Sequence, residues 1–192
     1  MQRIIAIVLA AGGSTRFGTP KQLHSHEGEP LVRRAVHAAL GAGVEEVIVV
    51  IGSDARDVAS ALDGNPSVRT ILNQDWNTGL ASSLKVGLAA IGDSDGVLIT
   101  LADQPLVDST AIQRLIDRFD ESHRIIASGY DNTTGVPAIF GNEHIDELKT
   151  LTGDYGAGKW IRSRIADVTI VPLEEAAIDI DTPADAARLE EL

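Results

Sequence analysis

Two basic side chains in a glycine-rich segment are the first residues of this sequence with chemistry to offer. Ala10-Ala11-Gly12-Gly13-Ser14-Thr15-Arg16-Phe17-Gly18-Thr19-Pro20-Lys21 follows the apolar run Ile4 to Leu9. Small residues let backbone N–H groups come close to an anion, and Arg16 and Lys21 add positive charge to the same loop. The combination points to a phosphate-rich ligand. Spacing excludes two familiar phosphate loops. A P-loop requires lysine directly after its second glycine, but Thr19 follows Gly18,. A dinucleotide fingerprint requires G-x-G-x-x-G, and here Gly12 and Gly13 are adjacent, with Gly18 beyond a longer gap,. A carboxylate is the third candidate. Asp103 emerges just past the apolar run Val97 to Leu101, a costly place for a charge without a partner,. It reads either as a cation ligand or as a turn-starting residue before Gln104-Pro105.

Composition narrows the alternatives. There is no cysteine, which removes disulfides, thiolate metal sites and a cysteine nucleophile together,. Sixteen Lys and Arg against 28 Asp and Glu give a formal net charge of −12, a poor surface for nucleic acid or an anionic membrane,. The apolar start is too short for a membrane span, and Gly12-Gly13 and the charges after it break any signal-peptide core, so a cytoplasmic protein is expected. The five histidines suggest no site: His24-Ser25-His26 sits in a polar stretch expected to face solvent, and His37 falls within a helical pattern. Trp76 reads as a loop anchor rather than a stacking partner.

The elements that must position these residues alternate between strand and helix. Ile4 to Leu9, Val47 to Ile51, Val68 to Leu72 and Val97 to Leu101 read as strands, with shorter ones at Ile125 to Ser128, Ala138 to Phe140 and Val168 to Val171. Helical spacing joins Leu31, Val32, Ala35, Val36, Ala39 and Leu40 before the stop at Gly41 and Gly43,. It also joins Leu80, Leu84, Leu88 and Ile91, and then Ile112, Leu115, Ile116 and Phe119 behind a cap at Asp108 or Ser109. Thr182-Pro183-Ala184-Asp185 has the pattern of a capped final helix. The alternation predicts one α/β domain over residues 1–192, a mostly parallel doubly wound sheet with helices on both faces. Ligands of such sheets bind beyond the carboxyl ends of the strands, which selects the loops after Leu9, Leu72 and Leu101.

At these loops the sequence resembles a family. Leu9 to Gly18 with Pro20-Lys21-Gln22-Leu23 is similar to the signature of the nucleotidyltransferases that include the molybdenum-cofactor guanylyl- and cytidylyltransferases, the sugar-phosphate nucleotidyltransferases and the methylerythritol-phosphate cytidylyltransferases. Asn73 to Leu84, Leu101-Ala102-Asp103-Gln104-Pro105, Gly135 to Phe140, Gly153 to Ala157 and Asp179 to Pro183 match in the same order, nearest to the molybdenum-cofactor cytidylyltransferase group. The resemblance implies a Rossmann-like nucleotide-diphospho-sugar transferase fold. It also implies Mg²⁺-dependent transfer of a nucleotide, CMP from CTP, to the phosphate of molybdopterin cofactor. GTP as donor, a sugar or polyol phosphate as acceptor, and a non-catalytic nucleotide-binding or chaperone module are the alternatives. A transient contact with a molybdoenzyme or its chaperone would follow from the first reading.

The resemblance also implies roles. Lys21, Arg16 and Asp103 are the catalytic candidates, and Asp103 and Asp181 the Mg²⁺ ligands, with Asp179 competing for the second place. Leu9, Ala11 and Gly12 would offer backbone contacts to base or ribose, while Gly13, Ser14 and Lys21 face phosphate. Gly79, Ser82 and Ser83 stand at the start of a predicted helix, where the hydroxyls either bind the base or cap the helix. Asp154, Gly156 and Lys159 are the acceptor-side candidates. In the family an arginine follows Gly-Ala; this chain has Gly158 there, with Lys159 and Arg162 as the nearby cations. Phosphoryl-type transfer asks mainly for positioning and charge neutralisation, so the lack of a nucleophilic triad is no obstacle.

Overall fold

Ile4–Ala10 forms β1, and all seven of its residues are buried in the computed structural model, which describes residues 2–62 and 64–191. Burial on both faces is what a β-branched run without polar alternation requires. Ile4, Ala6, Val8 and Ala10 point to one side, and Ile5, Ile7 and Leu9 to the other, each set joining its own core,. The remaining strands are β2 (Ser25–His26), β3 (Glu29–Pro30), β4 (Glu46–Ile51), β5 (Val68–Leu72), β6 (Gly96–Leu101), β7 (Ile125–Tyr130), β8 (Thr133–Gly141) and β9 (Thr169–Pro172). Seven of them make one sheet in the order β5-β4-β1-β6-β8-β7-β9, and β2 with β3 forms a small hairpin. Every pairing in the large sheet is parallel except those of β8, which runs antiparallel to both β6 and β7.

The helices are α1 (Leu31–Gly41), α2 (Ala55–Ser60), α3 (Leu80–Ala90), α4 (Ser109–Ile116), α5 (Ile145–Leu148), α6 (Ala157–Ser163) and α7 (Pro183–Leu189). On one face α1 and α4 pack Val32, Val36, Ile112 and Leu115 against Val8 and Val49. On the other, α3, α5 and α6 bring Leu84, Leu88, Leu148 and Trp160 to Ile7, Val50 and Phe140. The doubly wound arrangement expected from the alternation is therefore present. A third, smaller cluster, Leu31, Ile180, Ala186 and Leu189 with Phe17 against it, docks α7 beside the glycine-rich loop. Among the described residues no helix is long and apolar enough to cross a membrane.

Local chemistry sets the ends. The Asp108 side chain caps α4 by accepting from the Ala111 N–H at 2.8 Å. Thr182 and Asp185 form a reciprocal capping box at α7, with Pro183 at its first turn,. Some expectations need correction. The helix from Leu80 ends at Ala90, and Ile91 is extended. Leu80 is 42% exposed rather than core, because it lies over Gly156 at the site described below. The segment expected as Ala138 to Phe140 is a nine-residue strand, its start hidden by the Gly135 and Pro137 interruptions. His24 and His26 are half-buried rather than solvent-facing, and His24 meets Phe17 edge-on at 5.3 Å between ring centres.

Candidate active site

The loop after β1 is held by its own backbone and by one buried amide. Phe17 and Gly18 N–H groups both donate to the Ser14 carbonyl, at 2.9 and 3.0 Å, with Ser14 in the left-handed region. Gln22, only 3% exposed, donates from Nε2 to the Ala10 carbonyl at 3.0 Å and to the Gly12 carbonyl at 2.6 Å. Its Oε1 accepts from the Ser14 hydroxyl at 3.2 Å, and that hydroxyl accepts from the Lys21 N–H at 3.0 Å. Lys21 opens the short 3₁₀ turn Lys21–Leu23, so this network fixes where its side chain begins. Gln22→Ala leaves two carbonyls without a partner, at a cost of ~1–3 kcal/mol. The expected outcome is a lowered melting temperature together with weaker nucleotide binding, checked by thermal unfolding and by nucleotide titration.

Lys21 is the centre of the charge arrangement. Its Nζ donates to Asp103 Oδ2 at 2.6 Å and to Asp181 Oδ1 at 2.8 Å, while Arg16 reaches Asp181 Oδ2 at 2.8 Å. Three segments distant in sequence thus meet on one ammonium: the loop after β1, the end of β6, and the chain entering α7. The Ile180 N–H donates to the Asp103 carbonyl at 2.9 Å, which ties the second acidic segment to the first. Burial by itself would lower the Lys21 pKa, but the Asp103 and Asp181 carboxylates outweigh it and hold the ammonium above its usual range. Asp181 is pulled below the usual carboxylate range, first by the Lys21 hydrogen bond, against a smaller opposing effect of burial. Asp103 Oδ1 is buried and has no hydrogen-bond partner.

Asp179 is exposed, within electrostatic reach of Asp103 and Asp181. Burial, and then the charges of Asp103 and Asp181, push its carboxyl up to about 7. An acid whose folded pKa lies above its unfolded value binds more protons when folded, so stability falls as pH rises from about 4 to about 7,. Asp179→Asn removes a charge that Asp103 and Asp181 repel. It is expected to raise stability on the order of 1 kcal/mol at pH 8, because water screens an exposed carboxyl, and to change little at pH 4, read from denaturant midpoints at the two pH values. An unaltered pH profile would show that water screens Asp179 from the charges of Asp103 and Asp181.

Around the charged centre is a cleft of about 580 Å³. Of the residues expected at the site, Leu9, Ala11, Gly12, Gly13, Arg16, Lys21, Gly79, Ser83, Asp103, Asp154 and Asp181 line it. Ser14, Ser82, Gly156 and Lys159 do not. Ser14 is used within the loop. The Ser82 hydroxyl donates to the Gly79 carbonyl at 2.8 Å and accepts from Asn73 Nδ2 at 2.9 Å, so it is engaged within the protein, while α3 has no side-chain cap. Asn73 Nδ2 also donates to the Ser83 hydroxyl at 2.9 Å, so that group is engaged although its residue reaches the cleft. Gly156 and Lys159 line an adjoining pocket that shares Leu9, Leu80, Leu101 and Asp154 with the cleft. Asp179 lines neither, and Asp181 is therefore the acid that accompanies Asp103.

Two residues outside the expected set shape the cleft. Trp76 packs where a Cβ on either Gly13 or Gly52 would come within 2.7 Å of it, so it anchors the loops after β1, β4 and β5 to one another while lining the cleft. Gln22 lines it as well. Its place in the loop motif was visible, but nothing in the sequence shows that its partners are backbone carbonyls. Gly79 has φ +116°, and a Cβ there would lie 2.4 Å from the Gly153 carbonyl group. Only glycine lets the segment before α3 approach the one before α6 so closely.

The pattern of the family described as MobA-like NTP transferase domain matches residues 6–168. The chain is 31% identical to nicotine blue oxidoreductase of Paenarthrobacter nicotinovorans, over 97% of this chain and 96% of that protein. It is 33% identical to the bifunctional protein GlmU of Brucella anthropi over 68% of this chain, but spans only 30% of that longer protein. Among solved structures, Rv0371c of Mycobacterium tuberculosis superposes with a TM-score of 0.87 at 30% identity, covering 100% of this chain and 99% of that one. A nucleotidyl transferase of Methanothermobacter gives 0.83 at 26% identity, over 98% and 96%. The chain belongs to the MobA-like NTP transferase domain family, a nucleotide-binding domain of the nucleotidyltransferase kind. Asp181 lies beyond the matched residues, yet it lines the cleft.

Proposed function

We propose that this chain, acting as a single domain over residues 1–192, transfers a nucleotidyl group from a nucleoside triphosphate to the phosphate of an acceptor. An acceptor oxygen forms the new bond to the α-phosphorus, the α–β anhydride bond breaks, and pyrophosphate leaves. The observation that carries this reading is the Lys21 ammonium bridging Asp103 and Asp181 inside a cleft walled by the glycine-rich loop. Lys21 and Arg16 would hold the β- and γ-phosphates and the charge developing on the leaving group. Leu9, Ala11, Gly12 and Gly13 would present backbone to the nucleoside and α-phosphate.

The acids fit a divalent cation. Mg²⁺ is commonly held by one or two carboxylates with substrate phosphates completing the shell. Asp103 and Asp181 already converge on one cation, the Lys21 ammonium, and Asp103 Oδ1 is a buried oxygen without a partner. Among the described residues no group of three or more potential ligands forms a closed metal site, which suits an ion that arrives with its nucleotide. When bound, Mg²⁺ would neutralise the triphosphate and withdraw charge from the α-phosphorus. Rv0371c has been solved in complex with manganese, and that structure covers 100% of this chain at 29% identity with a TM-score of 0.82.

CTP as donor and molybdopterin as acceptor remain the specific form of the proposal, supported by the Leu-Ala-Ala-Gly and Ala-Asp-Gln-Pro segments. A sugar or polyol phosphate as acceptor is the second reading, since the loop after β1 is also similar to that of the sugar-phosphate nucleotidyltransferases. Pyrophosphate release, measured for each nucleoside triphosphate with a panel of phosphorylated acceptors, decides between them. A preference for GTP of about tenfold or more, some 1.4 kcal/mol, overturns the cytidylyl assignment. Nucleotide binding without turnover for any acceptor favours the non-catalytic module. Redox turnover with no pyrophosphate formed would align the chain with the relative named as an oxidoreductase instead.

A further inference from the structure

β8 leaves regular pairing where it passes the site. Its pairs with β6 run from Gly141 to Ala138, opposite Ile99, and its register with β7 shifts between Ala138 and Gly135. Val136 and Pro137 fall outside both registers, and Leu101, Val136 and Tyr130 line the pocket that opens there. Backbone carbonyls buried at such an irregularity need donors from elsewhere. Two buried side chains supply them. Ser128, 0% exposed, donates its hydroxyl to the Pro137 carbonyl at 2.6 Å. Gln104, 4% exposed, donates from Nε2 to the Val136 carbonyl at 3.3 Å.

Gln104 also reaches a place that Ser128 does not. Its Nε2 donates to the Ala176 carbonyl at 2.9 Å and faces the Asp179 carboxyl. Both carbonyls can only accept, which fixes the amide nitrogen on their side and leaves Oε1 buried without a partner,. A buried amide that keeps an orphaned oxygen is there for its donors. Those donors hold the segment that carries the second acid. Ala176 lies in the short turn Glu174–Ala177, and four residues later the Ile180 N–H donates to the Asp103 carbonyl at 2.9 Å. The neighbouring residues Asp103 and Gln104 therefore pin the approach to Asp181 at two points. At its end, Asp103 and Asp181 meet one ammonium, 2.6 and 2.8 Å from Lys21 Nζ.

We infer that Gln104 is the positioning residue of the acid pair: its amide sets the span between Asp103 and Asp181, and with it their fit to a single cation. The inference rests on the nucleotidyl-transfer reading for the divalent ion that the pair receives, whereas the span itself is expressed in the Lys21 contacts.

Gln104→Met keeps the length and apolar stem of the side chain and removes its donors. Ser128→Ala is the matched control, because it leaves the Pro137 carbonyl unpaired at the same irregularity without touching the segment before Asp181. Neither readout needs turnover. CTP binding is measured by calorimetry, with Mn²⁺ and in chelator, and with no acceptor present. Acetylation of Lys21 by an N-hydroxysuccinimide ester, without metal or nucleotide, is followed by mass spectrometry against Lys149, whose side chain is 40% exposed where that of Lys21 is 15%. Mn²⁺ is expected to tighten CTP binding, and Gln104→Met should lose ~10-fold or more of that gain while keeping its affinity in chelator. Lys21 should be acetylated faster in Gln104→Met, because the two acids no longer close on it together. Gln104→Asn keeps the amide but falls one methylene short of its carbonyls, so it should lie between the two in both readouts. It carries the test if Gln104→Met does not fold. Ser128→Ala should melt lower than wild type yet match it in both readouts. A Gln104→Met variant that matches wild type in both, or a Ser128→Ala variant that loses as much, would overturn the inference. Faster Lys21 acetylation in Gln104→Met, with no effect of Mn²⁺ on CTP binding by wild type, would uphold the span and remove the transfer reading.

Discussion

Asp103→Asn is expected to reduce metal-dependent pyrophosphate release by a factor on the order of 10³, while the folded protein still binds nucleotide in the absence of metal. The amide has nearly the shape of the carboxylate and can still accept from Lys21, so the 2.6 Å contact is replaced rather than opened. What it lacks is the anionic oxygen that a hard divalent cation needs, and Asp103 Oδ1 is the buried oxygen otherwise without a partner,. The hydrogen bond from Ile180 goes to the Asp103 backbone carbonyl, so the approach to α7 survives the substitution. Metal titration of pyrophosphate release, with calorimetric nucleotide binding in chelator, separates the two effects. A rate near that of the unsubstituted protein would remove Asp103 from the metal site and leave its carboxylate as a simple partner of Lys21.

Asp103 could be found in the sequence because it breaks an apolar strand pattern at the carboxyl end, where a charge needs a reason. Lys21 and Arg16 were visible for the converse reason, as cations in a glycine-rich loop of an acidic chain. Most of the parallel core was equally legible: β1, β4 and β6 are almost wholly apolar runs that period and length identify, whereas β5 carries Arg69 and Thr70 and is the weaker signal,. The residues that escaped are those whose meaning depends on who stands opposite. Ser14, Ser82 and Ser83 look alike in a list of hydroxyls near glycines, yet hydrogen bonds to Gln22, Gly79 and Asn73 engage all three within the protein. Gln22 escaped because a glutamine that satisfies carbonyls leaves no periodic trace. Tyr130 escaped because it pairs with Thr133 at the turn into β8, and the Gly135 and Pro137 interruptions hid most of that strand. Legibility therefore followed the range of the interaction. Burial along one strand writes a pattern into adjacent residues, whereas a hydrogen bond across the sheet does not.

Lys21→Ala should have two effects of opposite sense, and their pairing makes it the sharper test. Removing one preorganised cation from a phosphate-transfer site costs ~3–4 kcal/mol of transition-state stabilisation, so kcat/KM should fall by two to three orders of magnitude. The same change strips Asp103 and Asp181 of the ammonium that neutralises them, leaving Arg16 on Asp181 alone. Two carboxylates that had shared Lys21 then attract a free cation more strongly, so the variant should bind Mn²⁺ more tightly than the unsubstituted protein when no nucleotide is present. Electron paramagnetic resonance of free Mn²⁺ measures that binding, and pyrophosphate release measures the rate. Lys21→Arg keeps the charge, so it should hold Mn²⁺ affinity close to the original even where its longer, planar head recovers only part of the rate. A slow Lys21→Ala variant whose Mn²⁺ affinity is unchanged would mean that the lysine meets phosphate but does not guard the acids. An unchanged rate would place it outside the reaction, and the contacts it makes with Asp103 and Asp181 would then serve only to fasten the loop after β1 to the chain entering α7.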